Sequence, residues 1–224
     1  MINKICDSLG DAVAGIHDGA SVMVTGFGDS GLPRALLGAL IDQGARDLTL
    51  ISNNAGTGTT GLAALLAAGR VRKVICSYPK SSGADIFAAL YRENKIELEL
   101  VPQGTLLERM RAAGAGLGPF FVPTGYGTPI AEGKPQCVYQ GKGYVQEEPL
   151  HADFALVKAY HADRWGNLTY RLASRGFGPT MCMAAKTAIV QVDDILPLGL
   201  IAPESIVTPG IFVSRVVRKD RGNE

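Results

Sequence analysis

The stretch Ser21-Val-Met-Val-Thr-Gly-Phe-Gly-Asp-Ser-Gly-Leu-Pro33 changes character halfway along. Ser21 to Val24 is a short apolar run without polar alternation, the pattern of a strand buried on both faces of a parallel sheet. Gly26-Phe27-Gly28-Asp29-Ser30-Gly31 then satisfies G-x-G-x-x-G, whose small residues let the backbone turn tightly and approach a ligand. Pro33 suits the first turn of a helix, where its missing N–H would have no helical partner. The free N–H groups at that helix start are expected to meet a phosphate or carboxylate.

The same rhythm repeats outward from this stretch. Apolar runs at Leu48 to Ser52, Val71 to Ser77, Ile96 to Val101, Phe154 to Ala159 and Ala188 to Val192 predict further strands. Helical patterns lie between the early ones, at Pro33 to Gln43, Gly61 to Ala68, Asp85 to Glu93 and Leu106 to Ala113. Strand, turn and helix in alternation predict an α/β fold, an open and mainly parallel sheet flanked by helices in three layers, α/β/α. Upstream, Ile5, Leu9, Val13 and Ile16 recur at helical spacing and predict an amphipathic surface helix ending near Asp18-Gly19. The rhythm breaks from about 114 to 150, where Gly, Pro, Thr and aromatic residues predict a small β-rich excursion with a hairpin at Tyr139-Gln-Gly-Lys-Gly-Tyr144. Residues 1–224 are expected to form a single domain carrying that excursion.

The 224 residues can bury roughly 70 to 75% of the unfolded surface, enough for one sizeable core. With 22 Lys and Arg against 21 Asp and Glu, the net charge of +1 offers no broad field for nucleic acid or an anionic membrane. Cys6, Cys76, Cys137 and Cys182 form no C-x-x-C pair, and a chain of this length does not need disulfide staples, so a cytoplasmic location is expected. No run of about 18 apolar residues occurs, and neither secretion nor membrane insertion is expected.

In an open parallel sheet, ligands gather outside the C-terminal strand ends. Asn53 and Asn54 close one strand there, Gln103 follows another, and Lys80 lies just past a third, with Ser81 and Ser82 as added donors. Asx residues at such places also serve turns and helix caps. A dinucleotide site would need an acidic residue near the end of the second strand; Asp47 precedes that strand, whose far end reads Ser52-Asn53-Asn54, so NAD is the weaker reading. His17, His151 and His161 lack metal-ligand spacing, and no serine sits in a G-x-S-x-G elbow. Asp193-Asp194 reads as a solvated turn, and Trp165 as a packing anchor. The chain reads as a binding wall without its own reactive group.

Five motifs in chain order resemble one of the two subunit types of the class I CoA-transferase family, the A-type: Val24-Thr-Gly-Phe-Gly-Asp-Ser-Gly-Leu-Pro33, Val101-Pro-Gln-Gly-Thr105, Ala113-Gly-Ala-Gly116, Pro123-Thr-Gly-Tyr-Gly-Thr128 and Asp163-Arg-Trp-Gly-Asn-Leu-Thr-Tyr170. The resemblance implies a ping-pong transfer of CoA between carboxylic acids, with CoA as substrate and no permanently bound cofactor or metal. It places the attacking glutamate in a Ser-Glu-Asn-Gly element of a partner chain, the B-type CoA-transferase subunit; no such tetrapeptide occurs here. It assigns CoA contact to Thr25, Gly26, Phe27, Gly28, Asp29, Ser30 and Gly31, with Thr25 standing where glycine is common. It aligns Asn53, Asn54 and Gln103 with positions facing the reacting carboxylate or thioester, where neutral amide donors stabilise an oxyanion. Ile51-Ser-Asn-Asn-Ala-Gly56, Gly61-Leu-Ala-Ala-Leu-Leu66 and Pro149-Leu-His-Ala-Asp-Phe154 look like members that move CoA from succinyl-CoA to 3-oxoadipate in aromatic-compound breakdown, with acetoacetate-using relatives beside them. A 2+2 heterotetramer is usual in the family. Lys80 is nominated for the distal carboxylate of 3-oxoadipate. Outside the family, an NAD-binding oxidoreductase and a non-catalytic small-molecule sensor are the competing classes; the sensor lacks an added DNA-binding segment and a basic patch.

Overall fold

The computed structural model describes residues 2–80 and 82–219. A short helix α1 (Leu9–Val13) precedes the alternation β1 (Ser21–Val24), α2 (Arg34–Gln43), β2 (Leu48–Asn54), α3 (Leu62–Ala67), β3 (Val71–Tyr78), α4 (Asp85–Arg92), β4 (Glu97–Leu100) and α5 (Gln103–Gly114). Three strands follow, β5 (Phe120–Val122), β6 (Gln136–Tyr139) and β7 (Lys142–Glu147). The chain then builds β8 (Ala152–Lys158), the short β9 (His161–Ala162), α6 (Gly178–Ala184), β10 (Ala185–Val192), β11 (Asp194–Ile195) and β12 (Arg215–Arg218).

Seven strands make one sheet in the order β12-β10-β8-β1-β2-β3-β4, and each adjacent pair is parallel. Helices cover both faces, which is why the strand runs are apolar at successive positions. Val22 and Val24 pack with Leu36, Leu37, Leu40, Leu65 and Leu66 on one face. Met23, between them, packs with Leu106, Met110 and Met181 on the other. The chain moves outward from β1 to β4, then returns to the far side of β1 as β8. The β1/β8 boundary is therefore a topological switch point, where α/β sheets open a crevice at their C-terminal edge.

The predicted N-terminal helix is largely absent. Ile5 bridges Val216 in parallel, with Cys6 N donating to Val216 O at 2.8 Å and Val216 N to Lys4 O at 2.7 Å. Only Leu9–Val13 is helical, started by Ser8, whose Oγ accepts from Asp11 N at 3.0 Å. The periodic apolar residues serve an edge pairing first and a short helix second. Strand β12, Arg-Val-Val-Arg, carries little hydrophobic signal because two arginines flank its two buried valines.

Strands β5, β7 and β6 form a separate antiparallel sheet in that order. Its hairpin turns through Gln140 (φ 51°) and Gly141 (φ 74°), both left-handed, as a two-residue type I′ turn requires. Arg109 on α5 fastens this sheet to the main one, pairing with Glu99 of β4 at 2.9 Å and donating to Glu148 O at 2.9 Å, while within the excursion Lys134 holds the buried Glu147 at 2.6 Å. Burial opposes ionisation of Glu99, but hydrogen bonds from Lys73 and Arg109 outweigh it and hold the carboxyl below its usual range.

Candidate functional site

Because every strand of the main sheet is parallel, all the turns nominated from sequence reach one edge. The turn after β1 is shaped by its own backbone: Phe27 N donates to Ser30 O at 2.9 Å, and Ser30 N to Phe27 O at 3.2 Å. Gly31 (φ 74°) is required there twice over, since a Cβ would also lie 2.5 Å from Ser174 O. Thr25 braces the turn from beneath. Its hydroxyl donates to Gly31 O at 2.7 Å and accepts from Lys158 N at 3.0 Å, and the residue is almost fully buried. Phe27 stands 62% exposed and Asp29 pairs with Arg34 at 3.1 Å, so the tip of the turn faces outward.

The helix start behind the turn differs from expectation. Gln191 Oε1, from β10, accepts from Ala35 N at 3.1 Å and Leu36 N at 3.2 Å. The amides that would have held a pyrophosphate are already used, which removes the main support for a dinucleotide. Any ligand here meets the turn and its side chains.

Asn53 and Asn54 end β2, each only 7% exposed. Asn53 Oδ1 accepts from Ser77 Oγ at 2.8 Å, and Asn54 Oδ1 accepts from Gly56 N at 2.8 Å. With both carboxamide oxygens engaged inside the chain, the donor end of each is what remains for a ligand. Gln103 is the exposed first residue of α5, directly after β4 and Pro102. In the same first turn, Thr105 Oγ1 is buried without a hydrogen-bond partner among the described residues. Lys80 is exposed just past β3 and Ser82 is exposed beyond it, while Ser81 lies outside the described residues.

At the switch point an open depression of about 500 Å³ is lined by Asp29, Ser30, Lys158, Arg171, Ser174 and Asp193 among others. Lys158, the last residue of β8, pairs with Asp193 at 2.5 Å. Burial pushes the Lys158 ammonium below its usual value, against the pull of Asp193. Asp193 is thus no solvated turn residue. The sequence held one signal for this cluster: Lys158 is a charge closing an otherwise apolar buried run, and such a charge needs a partner.

The edge offers donors but, among the described residues, no activated nucleophile. Burial pushes the Cys76 and Cys182 thiols up to about 12, Ser52 donates to Asn54 O at 2.6 Å, and the single Ser77 hydroxyl proton is shared between Asn53 Oδ1 and Asn53 O. His161 stacks on Tyr160, and His17 meets Phe154 edge-on. Among the described residues, no group of three or more His, Cys, Asp or Glu could hold a metal ion. No described helix is long and apolar enough to cross a membrane. Trp165 is half exposed rather than a buried anchor; Asp163 Oδ1 accepts from Trp165 N at 2.9 Å and from Asn167 N at 3.1 Å, clamping that turn.

Residues 6–219 match the Coenzyme A transferase family. The chain is 63% identical to the A-type subunit of the 3-oxoadipate CoA-transferase of Pseudomonas putida, over 97% of this chain and 94% of that one. It is 43% identical to the mitochondrial succinyl-CoA:3-ketoacid coenzyme A transferase 2A of Rattus norvegicus, covering 94% of this chain and 44% of that longer one. An acyl-CoA transferase of Escherichia coli O157:H7, solved as a thioester complex with CoA, shares the fold with a TM-score of 0.85 at 22% identity, over 100% of this chain and 50% of that one.

Proposed function

Since this chain belongs to the Coenzyme A transferase family, we propose that it is the A-type half of a two-subunit enzyme moving CoA from succinyl-CoA to a 3-oxo acid, 3-oxoadipate before acetoacetate. The 63% identity over nearly the full length of both chains carries this reading. The lack of an activated nucleophile among the described residues of the C-terminal sheet edge fits a divided site. The longer rat relative, of which this chain matches 44%, has room in one polypeptide for both halves.

The glutamate of the B-type partner attacks the thioester carbonyl of succinyl-CoA, giving a mixed anhydride and CoA thiolate. The thiolate returns to the glutamyl carbonyl, expelling succinate and leaving an enzyme-CoA thioester. The carboxylate of 3-oxoadipate then runs the same two steps in reverse. In each attack an oxyanion forms, and the role proposed for Asn53, Asn54 and Gln103 is to donate to it. Neutral amides do this without quenching the glutamate's charge. The turn from Gly26 to Gly31 is the proposed CoA contact, with Thr25 as its buried brace. We further propose one domain over 1–224, a cytoplasmic setting that suits four unpaired cysteines, and a 2+2 assembly with the partner.

The test is co-expression with the B-type partner and a CoA-transfer assay over a panel of acids. Transfer to 3-oxoadipate with a kcat/KM well above that for acetoacetate is expected. A complex that used only acetoacetate would move the chain to the neighbouring substrate class.

A further inference from the structure

A 3-oxoadipate transferase handles two dicarboxylates, because succinyl-CoA keeps a free distal carboxylate and 3-oxoadipate carries one too. One cationic subsite near the reacting edge would serve both halves of the exchange. We propose that this subsite is the depression at the β1/β8 switch point, with Arg171 as the group that receives the distal carboxylate and so sets acid specificity. This inference rests on the substrate reading above and extends it.

The charges within the depression single out Arg171. Asp29 has Arg34 at 3.1 Å, and Asp193 has Lys158 at 2.5 Å with Lys219 at 3.9 Å, so both carboxylates are matched by cations. Arg171 forms no ion pair among the described residues; its guanidinium lies 5.9 Å from the centre of the Tyr160 ring, which leaves its planar donors for a ligand. Ser30 lines the same depression, and the Ser174 hydroxyl, which donates to Arg171 O, ties the segment together.

Position supports the assignment. One wall of the depression is Asp29 to Leu32, which begins in the second half of the turn proposed to contact CoA, so the two subsites adjoin. Lys158, which lines the depression together with Arg171, ends β8, and β8 stands two strand spacings, roughly 10 Å, from β2, where Asn53 and Asn54 sit. A six-carbon dicarboxylate is shorter than this, but with a hydrogen bond of about 2.8 Å at each end it bridges donors roughly 10 Å apart. Lys80 stands on the opposite flank, past β3, exposed and without an ion pair among the described residues. Both residues are exposed, but Arg171 lines the depression and its forked guanidinium can bind a carboxylate through two parallel bonds, which an ammonium cannot.

The experiment uses the assembled complex with 3-oxoadipate and 3-oxohexanoate, an acid of equal length lacking the second carboxylate. Arg171→Gln should lower kcat/KM for 3-oxoadipate roughly 10- to 100-fold, the loss of a charge-assisted hydrogen bond. It should change kcat/KM for 3-oxohexanoate much less, so the preference collapses. Arg171→Lys, a guard against a variant that fails to assemble, should recover part of the preference. Equal losses on both acids, an unchanged preference, or a preference abolished by Lys80→Ala instead would each overturn the assignment. A wild-type complex inactive on 3-oxoadipate yet active on acetoacetate would contradict the substrate reading itself, a different failure from that of Arg171.

Discussion

Gln191 interrupts the apolar run Ala188-Ile-Val-Gln-Val192, is buried, and caps α2 from β10 by accepting two backbone N–H bonds. Gln191→Ala should lower the unfolding free energy by about 1 to 2 kcal/mol, the cost of a lost cap and of buried amides left unpaired. Denaturant titration of the purified chain measures this, and a change below about 0.5 kcal/mol would mean that water replaces the cap. Gln103 is exposed and makes no internal side-chain bond among the described residues, so its loss should spare the fold. Gln103→Ala should instead reduce kcat of the assembled complex by about one to three orders of magnitude, the range for a lost oxyanion donor. An unaltered kcat would remove it from the chemistry. Asn53, Asn54 and Gln103 were legible as residues of the C-terminal sheet edge because each ends or follows an apolar run, whereas Gln191, inside one, gave no such signal. The Lys158–Asp193 pair was not, because it joins residues 35 positions apart.

At the scale of elements, β1, β8 and β10 are stapled together at their N-terminal ends. Asp153 accepts from Ser21 N at 3.0 Å and Ser21 Oγ at 2.8 Å, and pairs with Lys186 at 2.9 Å. The backbone N–H of Ser21, then Lys186 and the Ser21 hydroxyl, hold its carboxyl well below the ordinary range. A depressed carboxyl stabilises the fold fully above its unfolded value near 3.9 and loses that contribution as pH falls toward the folded value. Asp153→Asn should therefore unfold more easily than wild type at about pH 6, and the gap should narrow below about pH 4. A gap that stays constant through acid would show that shape, not charge, makes the staple. Elements were legible where both faces are buried, as at Val22 to Val24, because a short unbroken apolar run stopped by a glycine turn suits a strand better than a helix. They were misread where one pattern fits two structures. The spacing of Ile5, Leu9 and Val13 suits a helix, yet residues 4–6 pair with β12, a strand that its own arginines conceal.

The whole molecule presents a sheet edge rich in amides and glycine turns, and no described group on it is poised to attack a carbonyl. Alternation of strand and helix made the parallel sheet readable from sequence. The position of the switch point was not readable, because the return from β4 to β8 passes through a three-stranded sheet that carries no signal of direction. On the proposed reading, a glutamate-bearing partner chain completes the site. The direct test is the rate of CoA transfer from succinyl-CoA to 3-oxoadipate by this chain alone, by the partner alone, and by the two mixed. Background rates for each chain alone and full activity on mixing are the predicted result. Turnover by this chain alone at the rate of the mixture would contradict the divided site.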